Sequence, residues 1–190
     1  MQITFVTSNK VKFDTARKVL KKYGVSLAWR RMELREIQEI DLRKVALYKA
    51  EQAKREIRNS FMVDDSGICL DALGGFPGAL FKPVIDTIGS ERFAQLLHGK
   101  PDKSASFFNV LVFHSPSSKG FKIFTTNVRG HIAYRASKKR RTGWRIDNLF
   151  VPEGHRKKIS DMGDAEFVEF IKELEGQLHY TKLGKWLAAK

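Results

Sequence analysis

Apolar and polar positions alternate with two different periods along this chain, and the switches between them outline its elements. Residues 2–7 (Gln-Ile-Thr-Phe-Val-Thr) read as a strand ending at Thr7. Ser8 and Asn9 are good helix caps, and Phe13, Ala16, Leu20 and Tyr23 then recur at helical spacing until Gly24 supplies a stop. Residues 25–32 alternate as a second strand. A polar connector through Glu36 leads to Asp41, which caps a helix with the apolar face Leu42, Val45, Ala46, Ala50, Ala53 and Ile57.

Phe61-Met62-Val63 reads as the end of a buried strand that runs into Asp64-Asp65-Ser66-Gly67, an acidic turn. The loop 71–78 follows, then two short helices over 79–89 and 91–97. Long strands over 103–115 and 119–134 are joined by a hairpin at Ser115-Pro116-Ser117-Ser118. Leu149-Phe150-Val151 is a short strand. Two helices finish the chain, the first burying Phe167, Phe170, Ile171 and Leu174, the second Leu183, Trp186 and Leu187. Strands alternating with helices predict a mixed α/β protein, one domain over residues 1–190 with room for two lobes.

Composition narrows the function classes. No apolar run approaches the ~20 residues of a membrane helix, and the strand pattern begins at once, so neither a spanning segment nor a signal peptide is expected. The single cysteine, Cys69, cannot form an intramolecular disulfide; it fits a reducing cytoplasm and reads as a small buried residue. The five histidines are scattered without ligand spacing, so zinc is not expected, and no nucleophile–histidine ordering suggests covalent catalysis. The net charge of +14 fits either a nucleic-acid binder or a phosphate-handling enzyme. From 135 to 145, six of eleven residues are basic. That run suits a polyanion partner or a solvated loop at the mouth of a nucleotide site.

Two weak signals carry chemistry. Thr7-Ser8-Asn9 lies where a strand turns into a helix N-terminus, a place that favours anions, with Lys12 one turn in. Asp64 and Asp65 are adjacent carboxylates, costly unless a cation shares their space, and magnesium prefers such oxygen ligands together with phosphate. Taken alone, the same residues fit a capped helix and an ordinary turn, and Glu36 and Lys49 fit a solvated loop and helix face.

Their combination resembles the inosine triphosphate pyrophosphatase family. The matching pieces are Thr7-Ser8-Asn9 with Lys12, Leu34-Arg35-Glu36-Ile37-Gln38, Lys49-Ala50 and Val63-Asp64-Asp65-Ser66-Gly67. The loop Asp71-Ala72-Leu73-Gly74-Gly75-Phe76-Pro77-Gly78 and Gly143-Trp144-Arg145-Ile146-Asp147 with Leu149 to Gly154 complete them. The resemblance spans residues 2 to about 162. It implies a long twisted mixed sheet with flanking helices and two lobes around a nucleotide cleft, and a homodimer. It also implies Mg2+-dependent attack of water on the α-phosphorus of ITP, dITP or XTP, releasing pyrophosphate. By that resemblance Thr7, Ser8, Asn9, Lys12, Lys49 and Ser66 would hold the triphosphate, and Glu36 and Asp65 the magnesium. Asp65 would also orient or deprotonate water. Trp144 would stack on the base, Asp147 would read its edge, and His179 would contact it or cap the last helix.

The chain departs from the family pattern at Arg145, Ile146 and Asn148 in the base-reading loop, and at Leu178 and Tyr180 near the C-terminus. These departures leave base selectivity open. Two alternatives therefore stand beside the expected activity: a pyrophosphatase for another modified nucleotide, as in Maf-like enzymes, and a non-catalytic nucleic-acid-binding protein using residues 135–145.

Overall fold

A computed structural model describes residues 1–189. In chain order the elements are β1 (Gln2–Val6), α1 (Lys10–Lys21), β2 (Ser26–Arg30), α2 (Leu42–Glu56), β3 (Phe61–Leu70), β4 (Pro77–Gly78), α3 (Phe81–Gln95), β5 (Ser104–His114), β6 (Lys122–Ile132), β7 (Phe150–Pro152), α4 (Asp164–Glu175) and α5 (His179–Ala188). The seven strands form one mixed sheet in the order β2-β1-β3-β5-β6-β7, with β4 paired to β3. β1 runs parallel to β2 and to β3, with Phe5 opposite Trp29 and Met62, as helical crossovers require. β6 and β7 pair antiparallel. The mixed α/β reading holds.

By compactness the chain divides into two units. The first comprises Met1–Asp65, Asn109–Thr126 and the chain from Leu174; the second comprises Ser66–Phe108 and Asn127–Glu173.

The first unit is built on a single apolar cluster. Ile3, Phe5 and Met62 from the strands meet Phe13, Ala16 and Leu20 from α1, with Leu111, Phe113, Tyr180 and Leu183 closing it. The helical spacing read from the sequence is the face of α1 that enters this core. Asn9 caps α1 by accepting from Val11 N and Lys12 N, and Asp41 caps α2 by accepting from Arg43 N. Gly184 on α5 faces the Tyr23 ring: a Cβ there would lie 2.3 Å from a ring carbon, so only glycine allows this approach. In the second unit, α3 holds the two predicted short helices in one span, broken at Gly89 with φ 74°. Phe81 and Phe93 on either side of the break meet edge to face at 5.6 Å.

Three readings of the chain change. Asp64-Asp65-Ser66-Gly67 is not a turn; it lies inside the ten-residue strand β3. Ile171, expected in the core, is exposed, although Phe170 and Leu174 on the same helix are buried. Cys69 is half-buried rather than fully enclosed.

Candidate active site

Because Asp64 and Asp65 are consecutive residues of a strand, their side chains leave it on opposite faces. Each meets its own lysine. On one face, Lys49 from α2 places Nζ 2.9 Å from Asp65 Oδ2 and 2.7 Å from Glu36 Oε1. Glu36 reaches this point from the irregular connector between β2 and α2. On the other face, Lys12 from α1 places Nζ 3.0 Å from Asp64 Oδ1 and 3.3 Å from the Asp64 carbonyl oxygen. All of these groups belong to the first unit.

The two faces differ in enclosure. Asp64 has 1% of its side chain exposed, against 17% for Asp65 and 63% for Glu36. Burial by itself would raise the Asp64 carboxyl. The Lys12 ammonium and the neighbouring His179 and Tyr180 outweigh burial and hold it far below the usual carboxylate range. Burial likewise pulls the Lys49 ammonium down, and Asp65 with Glu36 more than reverses this, raising it above its ordinary value.

Asp64 is the functional neighbourhood that sequence reasoning left without a role. Tyr180 donates its hydroxyl to Asp64 Oδ2, and His179 Nε2 lies 3.2 Å from the same oxygen. His179 Nδ1 is 2.8 Å from Thr126 Oγ1, which also accepts the His179 backbone N–H at 2.6 Å and so caps α5. His179 is thus buried with both ring nitrogens engaged inside the fold. His179 does not make the cap, one of the two roles weighed for it: its backbone amide is the donor and Thr126 Oγ1 the acceptor. Tyr180 is buried too, and desolvation together with the Asp64 charge raises its phenol well above the ordinary value. The apolar spacing of Tyr180 with Leu183 could have flagged its burial; nothing local links it to a carboxylate 116 residues earlier.

At the start of α1, Thr7 Oγ1 accepts from Asn9 N at 3.1 Å, and Asn9 Oδ1 accepts from Val11 N and Lys12 N. Two of the amides expected to face an anion are therefore already capped. The Thr7 hydroxyl proton, the exposed Ser8 and the Asn9 side-chain NH2 remain donors at this turn.

The other expected residues lie in the second unit. Ser66 follows Asp65 in β3 and is half-buried. Trp144 stacks its ring on Phe107 at 5.8 Å. Asp147 is wholly buried and organises its own loop: Oδ2 accepts from Arg141 N, Thr142 N and Thr142 Oγ1, while Oδ1 has no hydrogen-bond partner and faces Arg140 Nη1 at 3.6 Å. Arg145, which replaces a glycine of the family pattern, is held by Asp86, with Nε 2.7 Å from Oδ1.

Hard oxygen donors that converge on a cation suit a divalent ion. Among the described residues, no three acidic, histidine or cysteine side chains cluster as a ready-made metal cage. Glu36 and Asp65 supply two carboxylates, and magnesium commonly completes such a pair with water and phosphate oxygens. The donor set fits an ion that arrives with a polyphosphate.

The strand order and flanking helices define a class of mixed α/β proteins. Solved structures of that class superpose well. A HAM1 protein from Coxiella burnetii aligns with a TM-score of 0.77 at 18% identity, covering 100% of this chain and 97% of that one. A nucleoside-triphosphatase (dITP/XTP pyrophosphatase) from Mycobacterium abscessus aligns with a TM-score of 0.75 at 22% identity, covering 92% of each chain. In sequence, the dITP/XTP pyrophosphatase of Thermococcus kodakarensis is 34% identical over 186 residues, covering 91% of this chain and 98% of its own. The dITP/XTP pyrophosphatase of Methanopyrus kandleri is 31% identical over 166 residues, covering 87% of each. A model of the Ham1 family matches residues 3–170, and the chain belongs to that family.

Proposed function

We propose that this protein hydrolyses deaminated purine nucleoside triphosphates, dITP, XTP and ITP, to the monophosphate and pyrophosphate. The observation that carries the proposal is the meeting of Glu36, Lys49 and Asp65 at one point on β3, on the strand that also anchors Lys12. The names of the curated relatives agree with it.

In this reading Lys49 neutralises the triphosphate beside Glu36 and Asp65, while Lys12, which stays paired with Asp64 on the other face, adds its charge at the start of α1. Thr7, Ser8, Asn9 and Ser66 donate hydrogen bonds to the substrate. Lys49 also keeps Glu36 and Asp65 together before substrate arrives, when like charges would otherwise drive them apart. Asp65 orients the attacking water and takes its proton, a role open to a carboxylate that retains solvent access. Glu36 and Asp65 would hold Mg2+, which when bound withdraws charge from the phosphate oxygens as the α-phosphorus is attacked. Trp144 and Asp147 are assigned to the base, Trp144 through its ring. Asp147 acts through the loop it fixes, because its side chain is enclosed.

Helix α5 leaves the choice of base open. The side chains of His179 and Tyr180 are both engaged with Asp64, so we assign them to holding the first unit together. This keeps a second modified-nucleotide substrate in view. A nucleotide panel with separate detection of pyrophosphate and orthophosphate tests the proposal. The expected result is pyrophosphate from dITP and XTP in the presence of Mg2+, with little from ATP or GTP. Absence of pyrophosphate from every nucleotide would overturn it.

The family resemblance also suggests a homodimer, which light scattering on the purified protein would check. A cytoplasmic site of action agrees with a chain that has one cysteine. No helix among the described residues is long and apolar enough to cross a membrane.

A further inference from the structure

The basic side chains on either side of Trp144 and Asp147 have no role of their own in the hydrolytic reading. Residues 135–158 hold nine lysines and arginines against two acids, Asp147 and Glu153. Several of these cations are committed within the fold. Arg140 donates to Arg145 O and Ser90 Oγ, Arg141 to Met162 O and Asp164, and Lys157 pairs with Glu166. Arg135, Lys138 and Lys139 are exposed, and none of them forms an ion pair among the described residues.

These three cations are presented by a pinned loop. Ser137 N donates to Asn148 O, Asn148 Nδ2 donates back to Ser137 O, and Ser137 Oγ donates to Asp161. Arg141 and Thr142 are fastened to Asp147. Lys138 and Lys139 lie between these two anchors. Beside Lys139, an open depression of about 520 Å³ is lined by Lys139, Arg140, Arg141, Ser160, Asp161 and Met162. At the start of the same segment stands Tyr134, 69% exposed, with the Lys103 ammonium 5.0 Å from its ring centre. An exposed aromatic ring among unpaired cations combines the two elements that hold a single strand: charge for the phosphodiesters and a flat face for a base.

We propose that the face carrying Tyr134, Arg135, Lys138 and Lys139 binds single-stranded nucleic acid. Contact is through the phosphates and one stacked base, without sequence preference and for RNA and DNA alike. Paired bases in a duplex would not be open to Tyr134, so single strands are preferred. None of these four residues has a role in the hydrolytic reading, and the proposal does not depend on it.

Fluorescence anisotropy of the full chain with labelled oligo-dT, oligo-U and a duplex of equal length tests this. Both single strands should bind at low salt more tightly than the duplex, with affinity falling steeply as salt rises. Lys138→Glu with Lys139→Glu should weaken binding by roughly tenfold or more and reduce the salt slope by about 2. Tyr134→Ala should weaken it several-fold with an unchanged salt slope. Nucleotide hydrolysis should be unaltered in both variants. Lys18→Glu with Lys21→Glu, an equal change of net charge made outside the proposed surface, should leave binding within about twofold. The proposal is overturned by absence of binding at low salt, by an equal loss in the α1 control, or by a preference for duplex.

Discussion

Asp64 and Asp65 are neighbours in the chain and opposites in the structure. Asp64 is sealed, with Lys12, His179 and Tyr180 gathered on it from α1 and α5. Asp65 keeps some solvent access and shares a single lysine with Glu36, itself an exposed carboxylate. A buried carboxylate with three partners is costly to disturb and slow to change partners, which suits a frame. A half-open carboxylate in a lysine-bridged pair can exchange that lysine for metal, water or phosphate. Two identical side chains one residue apart are thus directed to different tasks by which face of β3 they leave.

The largest expected effect that separates the two faces is Asp65→Asn. It should lower kcat by about 10³-fold while costing less than about 1 kcal/mol of stability; steady-state pyrophosphate release and urea melts check both. Asp64→Ala should do the converse, costing about 3–5 kcal/mol because Lys12 and His179 lose a buried partner, as a shift in the urea midpoint. Tyr180→Phe removes one donor from Asp64 and should cost about 1–2 kcal/mol, also read by urea melts. If Tyr180→Phe instead abolished turnover at unchanged stability, the sealed face would be part of the chemistry.

The smallest effect lies in pH dependence, and the two faces carry opposite signs. The Asp64 carboxyl is held below its unfolded value, so its contribution is complete above about pH 4 and is lost as pH falls below that. The Lys49 ammonium is held above its unfolded value, so its contribution is complete below about pH 10 and is lost as pH climbs past its folded value. The stability difference between wild type and Asp64→Asn should therefore be flat from pH 5 to 8 and shrink on further acidification. For Lys49→Met it should shrink on the alkaline side.

Local patterns carried much of this into the sequence. The apolar stripes of α1 and α2, their caps at Asn9 and Asp41, and the break at Gly89 all follow from short-range spacing, and each is where that spacing puts it. The meeting of Glu36, Lys49 and Asp65 was legible only through resemblance, since a loop, a helix and a strand must first be folded together. Two things were hidden for the same physical reason. Asp-Asp-Ser-Gly has turn chemistry, but tertiary burial overrode it and drew the segment into β3. The tie from Tyr180 to Asp64 depends on where α5 docks against α1, where Gly184 lets Tyr23 approach, and no neighbour in sequence reports that.

Hydrolysis of dITP in 18O-enriched water, with mass analysis of both products, tests the central claim most directly. Attack on the α-phosphorus, with Asp65 guiding the water, predicts one 18O in the monophosphate and none in the pyrophosphate. Label in the pyrophosphate, or orthophosphate as the first product, would contradict the account.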